Sequence, residues 1–219
     1  MSKVIIFGLK DFAQLAKYYL ENDSDHEVVA FSVNKDYLPE TNIFEGLPVI
    51  AFEDIENEHP QSEFKFFAPM SPNGMNSIRK GIYENIKQKG YELISYVSSK
   101  ASVFGNRIGD NCFILEDNTL QPFTNIGNNV VMWSGNHIGH HGSIGDHVFF
   151  TSHVVLSGHC EVGDSSFFGV NSTVRDGITI AEGTLVGMGA CIIKDTKPWS
   201  IYIGNPAKEL GKSSKEIEF

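Results

Sequence analysis

Apolar residues recur at every sixth position through the middle and the C-terminal part of the chain. Counting in sixes from Ile108 to Ile192 meets fifteen consecutive apolar residues, although only 41% of the chain is hydrophobic. They are Ile108, Ile114, Leu120, Ile126, Met132, Ile138, Ile144, Phe150, Leu156, Val162, Phe168, Val174, Ile180, Val186 and Ile192. An unbroken six-residue period predicts a parallel β-helix, in which each hexapeptide forms one short strand and one turn.

The period also predicts how residues stack. Three hexapeptides close one triangular coil, so residues 18 apart lie above one another, about 4.8 Å apart along the axis. The large residue of each hexapeptide fills the prism, and a small residue four positions later leaves room for it at the next corner. Cys112 and Cys160 occupy such small positions and are therefore expected in the core.

The N-terminal part of the chain alternates between two other patterns. Short apolar runs predict strands at 3–8, 27–33, 47–50, 64–69 and 92–97. Apolar residues at helical spacing predict helices at 10–22 and 76–89, with a short acidic helix near 52–58. This alternation predicts a small parallel α/β domain. We therefore expect an α/β domain at 1–97, a β-helix at 98–210 packed against it, and an exposed, partly disordered polar tail at 211–219.

Composition narrows the function classes. The formal net charge of −10 argues against a nucleic acid or an anionic membrane as partner. No signal-peptide pattern and no long apolar run is present, so we expect a cytoplasmic protein without membrane insertion. The three cysteines are too few and too scattered for a disulfide framework or a zinc site.

Six of the eight histidines fall within 23 residues, namely His137, His140, His141, His147, His153 and His159. The last four share one phase of the repeat, a corner expected to face solvent or a neighbouring chain. Only His141 and His159 are 18 apart and stack in one column, whereas His140 stacks between Pro122 and Gly158.

Three interpretations of this histidine cluster are open: solvated corner residues, a metal site, or a catalytic base. Histidine pairs five positions apart, which bind zinc in β-helix carbonic anhydrases, are absent, so we expect no metal. A histidine on a rigid corner suits general-base catalysis, because imidazole titrates near neutrality.

The first turn, Gly8-Leu9-Lys10-Asp11-Phe12, holds a single glycine. It does not match the G-x-G-x-x-G fingerprint, so a dinucleotide such as NAD is not expected. A mononucleotide could bind at the helix N-terminus near Lys10. Alternatively, Gly8 only ends a strand.

The segments IGHHGSIG at 138–145 and IGNPAK at 203–208, together with the preceding α/β domain, carry a family resemblance. The chain resembles the two-domain bacterial nucleotide-amino-sugar N-acetyltransferases and the related sialic acid O-acetyltransferases over nearly its full length. The resemblance implies a Rossmann-like N-terminal domain and a left-handed parallel β-helix. It also implies acetyl-CoA as co-substrate and a homotrimer with active sites between subunits.

The resemblance also implies site residues. The family's catalytic base lies in a segment that reads Ile-x-His-Glu-x-x-Ile-Gly, which places the base at His140 and puts His141 where the family has its Glu. Gly158 matches the residue whose N–H binds the thioester carbonyl. The acetyl-CoA groove would be formed by Gly158, Val170, Gly187, Met188, Gly189, Asn205, Pro206 and Lys208.

The nucleotide sugar would meet Gly8, Lys10, Asp11, Phe12 and Asn34. The family's first loop reads Gly-x-x-Gly-His-Gly, and Asp11, Phe12 and Ala13 depart from it here, which implies an altered acceptor site. The expected activity is direct N-acetylation of a nucleotide-linked amino sugar in surface-glycan biosynthesis, with His140 as general base. The alternatives are O-acetylation of a sugar or sialic acid, and a non-catalytic trimeric ligand-binding scaffold.

Overall fold

The computed structural model describes residues 1–217. The N-terminal strands are β1 Lys3–Phe7, β2 Glu27–Val33, β3 Ile43–Phe44, β4 Leu47–Ala51 and β5 Phe64–Phe67. The helices are α1 Asp11–Asp23 and α2 Ser77–Gln88, with 3₁₀ turns at Lys35–Tyr37, Phe52–Asn57 and Ser214–Glu216. The sheet order is β3-β4-β2-β1-β5, with every pair parallel except β3–β4. The predicted α/β alternation is therefore confirmed.

Short strands fill the remainder of the described chain. They are β6 Tyr96–Val97, β7 Ser102–Val103, β8 Phe113–Ile114, β9 Thr119–Leu120, β10 Asn125–Ile126, β11 Val131–Met132, β12 His137–Ile138, β13 Ser143–Ile144, β14 Phe149–Phe150, β15 Val155–Leu156, β16 Glu161–Val162, β17 Phe167–Phe168, β18 Thr173–Val174, β19 Thr179–Ile180, β20 Leu185–Val186, β21 Cys191–Ile192, β22 Ser200–Ile203 and β23 Lys208–Ser213.

These strands form the three faces of a prism. The first face holds β6, β8, β11, β14, β17, β20, β22 and β23; the second holds β7, β9, β12, β15, β18 and β21; the third holds β10, β13, β16 and β19. Within the repeat, paired strands are parallel with an 18-residue register, as in Met132 opposite Phe150. All fifteen repeat residues are buried except the half-buried Ile108. The predicted parallel β-helix is confirmed, and its left hand stays a prediction.

Two segments differ from expectation. The predicted last strand of the α/β sheet, 92–97, is divided: Leu93 forms a parallel bridge with Phe66 of β5, whereas Tyr96–Val97 pairs with Phe113–Ile114 on the first face of the prism. Lys208–Ser213 forms an antiparallel strand on β22, so the start of the expected disordered tail is ordered, although mostly exposed. Residues 218–219 of that tail lie outside the described residues.

The α/β domain packs on the first face of the prism. Outward aromatic side chains of that face meet the domain directly: Phe113 lies 5.4 Å from Phe67 and 5.9 Å from Tyr19 between ring centroids. Phe12 lies 6.3 Å from Phe149. One hydrophobic cluster runs across the junction, which agrees with the expectation that the two parts pack together.

Helix α2 covers one corner of the prism, which we call the α2 corner. Its residues Asn111, Asn129, His147 and Ser165 are 18 apart, have positive φ, and are buried. Arg79 of α2 is 1% exposed and donates to the carbonyl oxygens of His147, at 3.0 Å, and of Asn129. Asn76 donates to the Ser165 carbonyl at 3.0 Å. Burial lowers the pKa of Arg79 to about 9. The corner is therefore held by hydrogen bonds from the side chains of Arg79 and Asn76.

Neither helix among the described residues is long and apolar enough to cross a membrane.

Candidate active site

The corner histidines do not share one environment. His141, His153 and His159 are exposed, as expected, but His147 is only 5% exposed. The expectation that all four face solvent or a neighbouring chain is wrong for His147, because α2 of its own chain covers that corner. The Tyr83 ring lies 5.5 Å from the His147 ring. Asn129 Nδ2 donates to His147 Nδ1 at 2.9 Å, which makes the ring a neutral acceptor at that nitrogen.

The burial of His147 predicts acid sensitivity. Burial, and then the positive charge of Arg79, hold the pKa of His147 below its ordinary value of 6.5. The unfolded chain gains a proton there as pH falls below 6.5, while the folded chain does not. We therefore expect this contribution to stability to be present above pH 6.5 and to be lost below it, by up to about 1.4 kcal/mol per pH unit for one proton.

The measurement is urea unfolding at pH 7.5 and pH 5.5. The free energy of unfolding should fall less between these two pH values for His147→Asn than for the wild type, because asparagine tolerates the positive φ and does not titrate. The matched control is His153→Asn at an exposed corner, which should lose stability like the wild type. Burial also lowers the pKa of His26 and of His59, so part of the loss remains in every variant. Equal losses in all three proteins would contradict the role of His147.

A second corner brings three imidazoles together, and we call it the histidine corner. It lies between the second and third faces and carries Phe123, His141, His159 and Gly177, all at positive φ. The His141 and His159 rings are nearly parallel, with centroids 5.2 Å apart, which confirms the column inferred from their spacing. The Phe123 ring, 72% exposed, lies 4.6 Å from that of His141. Phe123 could have been found by the same 18-residue step.

His140 lies beside this column. Its backbone N–H donates to Gln121 Oε1 at 3.1 Å, and its Nδ1 lies 3.0 Å from Nδ1 of His141. A hydrogen bond at this distance needs a proton on one nitrogen and a lone pair on the other. When His140 carries that proton, its Nε2 has a free lone pair. His141 can therefore fix the orientation of the His140 ring.

Gly158 lies directly next to the His140 ring. A Cβ built on Gly158 would be 2.7 Å from Cε1 and 3.0 Å from Nε2 of His140, so only glycine leaves the ring in place. The Ser157 N–H donates to the Val174 carbonyl, and the His159 N–H donates to the His140 carbonyl. The Gly158 N–H between them has no acceptor within residues 1–217. A free donor next to a histidine nitrogen is the pair of groups that acyl transfer needs.

The candidate acetyl-CoA residues lie at the remaining corner, between the first and second faces. Its column is Asp117, Gly135, His153, Asn171 and Gly189, all at positive φ, and we call it the cleft corner. Val170 and Met188 are exposed there, Met188 by 80%, and Gly187 is half-buried. Asn205, Pro206 and Lys208 follow β22 and are exposed. The structure thus groups these residues but separates them from Gly158.

A cleft of about 700 Å³ lies at the same corner. It is lined by Leu9, Lys10, Asp11, Phe12, Gln14, Leu15, Phe44, Ser71 and Trp133. Of the five residues expected to bind the nucleotide sugar, Lys10, Asp11 and Phe12 line it, and Gly8 and Asn34 do not. Phe44, Ser71 and Trp133 also line the cleft, and no motif in the sequence predicted them there. The Phe12 ring lies 5.6 Å from that of Trp133 at nearly a right angle, so Phe12 also belongs to the packing between the domains.

Comparison with known proteins shows which of them share sequence or fold with this chain. No protein-family model matches the chain. A stretch of 53 residues is 38% identical to a probable macrolide acetyltransferase of Lysinibacillus sphaericus, and 49 residues are 39% identical to a putative acetyltransferase of Staphylococcus aureus. These stretches cover 23% and 22% of this chain, and the chain spans only 29% and 25% of those proteins.

Solved structures match over almost the whole chain. A mutant of perosamine N-acetyltransferase from Caulobacter crescentus, in complex with CoA and GDP-perosamine, has a TM-score of 0.84 at 21% identity, covering 97% of this chain and 98% of that one. The acetyltransferase domain of PglB from Neisseria gonorrhoeae has a TM-score of 0.81 at 22% identity, covering 96% and 100%. WeeI from Acinetobacter baumannii has 0.79 at 20%, covering 96% and 100%. The resemblance seen in the sequence is thereby confirmed at the level of the fold: this chain has the fold of the nucleotide-amino-sugar N-acetyltransferases.

Proposed function

We propose that the protein is an acetyl-CoA-dependent acetyltransferase that N-acetylates a nucleotide-linked amino sugar for surface-glycan biosynthesis. The observation that carries the proposal is the exposed His140 imidazole, with Nδ1 paired to His141 and with Nε2 next to the unpaired N–H of Gly158. The fold agrees, because structures with this fold were solved with CoA and GDP-perosamine, and with acetyl coenzyme A.

The mechanism is direct transfer. His140 Nε2 removes a proton from the acceptor amine while the amine nitrogen forms a bond to the thioester carbonyl carbon. The Gly158 N–H donates to the oxygen that becomes negative in the tetrahedral intermediate. The carbon–sulfur bond then breaks, and the proton held on His140 passes to the leaving thiolate. His141 holds the His140 ring through the Nδ1–Nδ1 hydrogen bond, so the base keeps its lone pair toward the acceptor.

The site needs two copies of the chain. His140 and Gly158 lie at the histidine corner, while the cleft, Val170 and Met188 lie at the cleft corner. The second face separates the two corners by about six extended residues, or about 20 Å. We infer a homotrimer in which the histidine corner of one subunit meets the cleft corner of the next. The acetyl-CoA groove would then run between them, past Gly187, Gly189 and Lys208.

The acceptor would bind in the cleft. The N-terminus of α1 has no side-chain cap, so its free N–H groups and Lys10 can hold a phosphate. Trp133 and Phe44 offer apolar surface for a base or a deoxy sugar. The Asp11 carboxylate sits at the same mouth and can pair with the ammonium group of an amino sugar.

The test is thiol release from acetyl-CoA, followed with a colorimetric reagent, over a panel of acceptors. The panel holds UDP-, dTDP- and GDP-linked amino-deoxy sugars, and CMP-linked and free sialic acid. We expect turnover on one amino sugar, with release of one thiol per acetyl group transferred. Turnover only on a hydroxyl acceptor would replace N-acetylation by O-acetylation. No turnover together with no binding of acetyl-CoA would refute the activity and favour a scaffold.

A further inference from the structure

The three exposed histidines of the histidine corner form a nearly regular triangle. The ring centroids of His140, His141 and His159 are 5.1, 5.1 and 5.2 Å apart. One nitrogen of each ring can be chosen so that all three lie within 4.8 Å of one another. The repeat spacing predicts that only His141 and His159 stack. His140 lies one position before the corner, and its side chain turns toward the other two rings, which completes the triangle.

These distances fit a single metal ion. Three imidazoles bound to a tetrahedral zinc ion, with Zn–N bonds of about 2.0–2.1 Å, have ring centroids about 5.2 Å apart and ligand nitrogens about 3.3 Å apart. The Nδ1 atoms of His140 and His141 are 3.0 Å apart, close to that separation. Because the His141 and His159 rings are nearly parallel, one of them has to rotate before the nitrogens of both face the ion, and an exposed side chain is free to do so. A histidine-only ligand set suits zinc, nickel and copper ions and does not suit magnesium or calcium, which take oxygen ligands.

The site is open on one side. All three residues are exposed, so an ion can enter from solvent, and a fourth coordination position would remain for water. The β-helix holds all three backbones: strand pairing fixes the coils, and the His159 N–H donates to the His140 carbonyl at 2.8 Å. A rigid backbone reduces the entropy lost when three side chains converge on one ion.

We propose that His140, His141 and His159 of one chain bind one divalent transition-metal ion of the zinc class, and that the bound ion blocks acetyl transfer. The second part rests on the proposed function: when Nδ1 of His140 coordinates the metal, the ring proton lies on Nε2, so Nε2 has no lone pair to accept a proton from the acceptor. Metal binding and general-base catalysis by His140 therefore exclude each other. His159 takes no part in the transfer mechanism and serves the metal site alone.

The binding test uses the full-length, tag-free protein stripped of metal with a chelator. Calorimetric titration with Zn²⁺ should give one ion per chain, and Mg²⁺ should give no binding. His159→Asn should weaken zinc binding at least tenfold, because asparagine keeps the positive φ that this chain already gives to Asn at positions 111, 129 and 171. The matched control is His26→Asn, which removes a half-buried histidine just before β2, outside all three corners of the prism, and which should bind as the wild type does. No binding by the wild type, or equal binding by His159→Asn, would overturn the site.

The activity test separates the two proposals. Zn²⁺ should inhibit the wild type and His26→Asn over the range in which it binds, while His159→Asn keeps its uninhibited rate at the same zinc concentrations. Inhibition that is equal in His159→Asn would overturn the blocking step. If no acceptor in the panel is turned over, the proposed transferase fails, and calorimetry still decides whether the metal site exists.

Discussion

Replacing His140 by alanine is expected to lower kcat for acetyl transfer by about 10²–10⁴-fold, the usual loss when a positioned general base is removed. The ring is exposed at a corner and fills no part of the interior, so the fold should not change. The Gly158 N–H and both binding surfaces remain, which is why residual activity is expected rather than none. The Michaelis constants for acetyl-CoA and for the acceptor should stay within a few-fold of the wild type.

Steady-state thiol release measures this effect, with the melting temperature of each variant recorded beside it. His26→Asn is the matched control, because it removes a histidine of the α/β domain, just before β2, that lines neither the cleft nor any corner of the prism, and it should keep full activity. A kcat for His140→Ala within threefold of the wild type would show that another group takes the proton. A large rise in the acceptor's Michaelis constant at unchanged kcat would instead assign His140 to binding.

Replacing Arg79 by methionine is expected to lower the free energy of unfolding by about 3–5 kcal/mol. The change leaves the Asn129 and His147 carbonyls in a buried site without their donors, and each lost partner costs about 1–3 kcal/mol. Arg79 has no carboxylate partner in residues 1–217. Removing its buried charge therefore offsets part of the loss, because the guanidinium no longer has to be desolvated on folding. That gain is smaller, because the backbone carbonyls stay fixed by the coil and cannot turn to other donors. Methionine keeps the apolar stem near the Phe149 ring.

Unfolding in guanidinium chloride, followed by circular dichroism, gives the value. The control is Lys80→Met at the next position, a half-buried lysine whose Nζ lies 4.0 Å from Oε1 of Glu84. Such surface pairs contribute about 0–1 kcal/mol, so this variant should stay close to the wild type. A loss below about 1 kcal/mol for Arg79→Met would show that water replaces the guanidinium at the α2 corner.

The repeat was predictable because its causes are local. Every sixth residue points inward and is apolar, so residues such as Met132 and Phe150 reveal the coil without knowledge of the remaining chain. The same 18-residue step placed His140 under Gly158 and His141 under His159. The repeat does not predict whether a corner is buried or exposed. His147 and His153 occupy the same phase, and only the docking of α2, which lies some 60 residues earlier in the chain, makes one buried and the other exposed.

Arg79 was missed for a related reason. The spacing of Ile78, Ile82 and Ile86 predicts one apolar face for the helix at 76–89, yet Ile78 is 52% exposed and Arg79 is buried. The inner face of α2 consists of Arg79, Ile82, Tyr83 and Ile86. These residues have ordinary helical spacing, but the charged Arg79 takes a position where an apolar residue is expected. A pattern of apolar residues cannot reveal a buried arginine whose partners are carbonyl oxygens on another domain. The triangle of histidines was missed as well, because side-chain rotation brings His140 to His159.

The contacts of α2 change how the β-helix can open. In a stack of coils each unit normally touches only its two neighbours, so segments can detach from an end one at a time. Side chains of α2 and its N-cap bond to four successive coils, at Asp110, Asn129, His147 and Ser165. These four coils are therefore expected to exchange their amide protons as one cooperative unit.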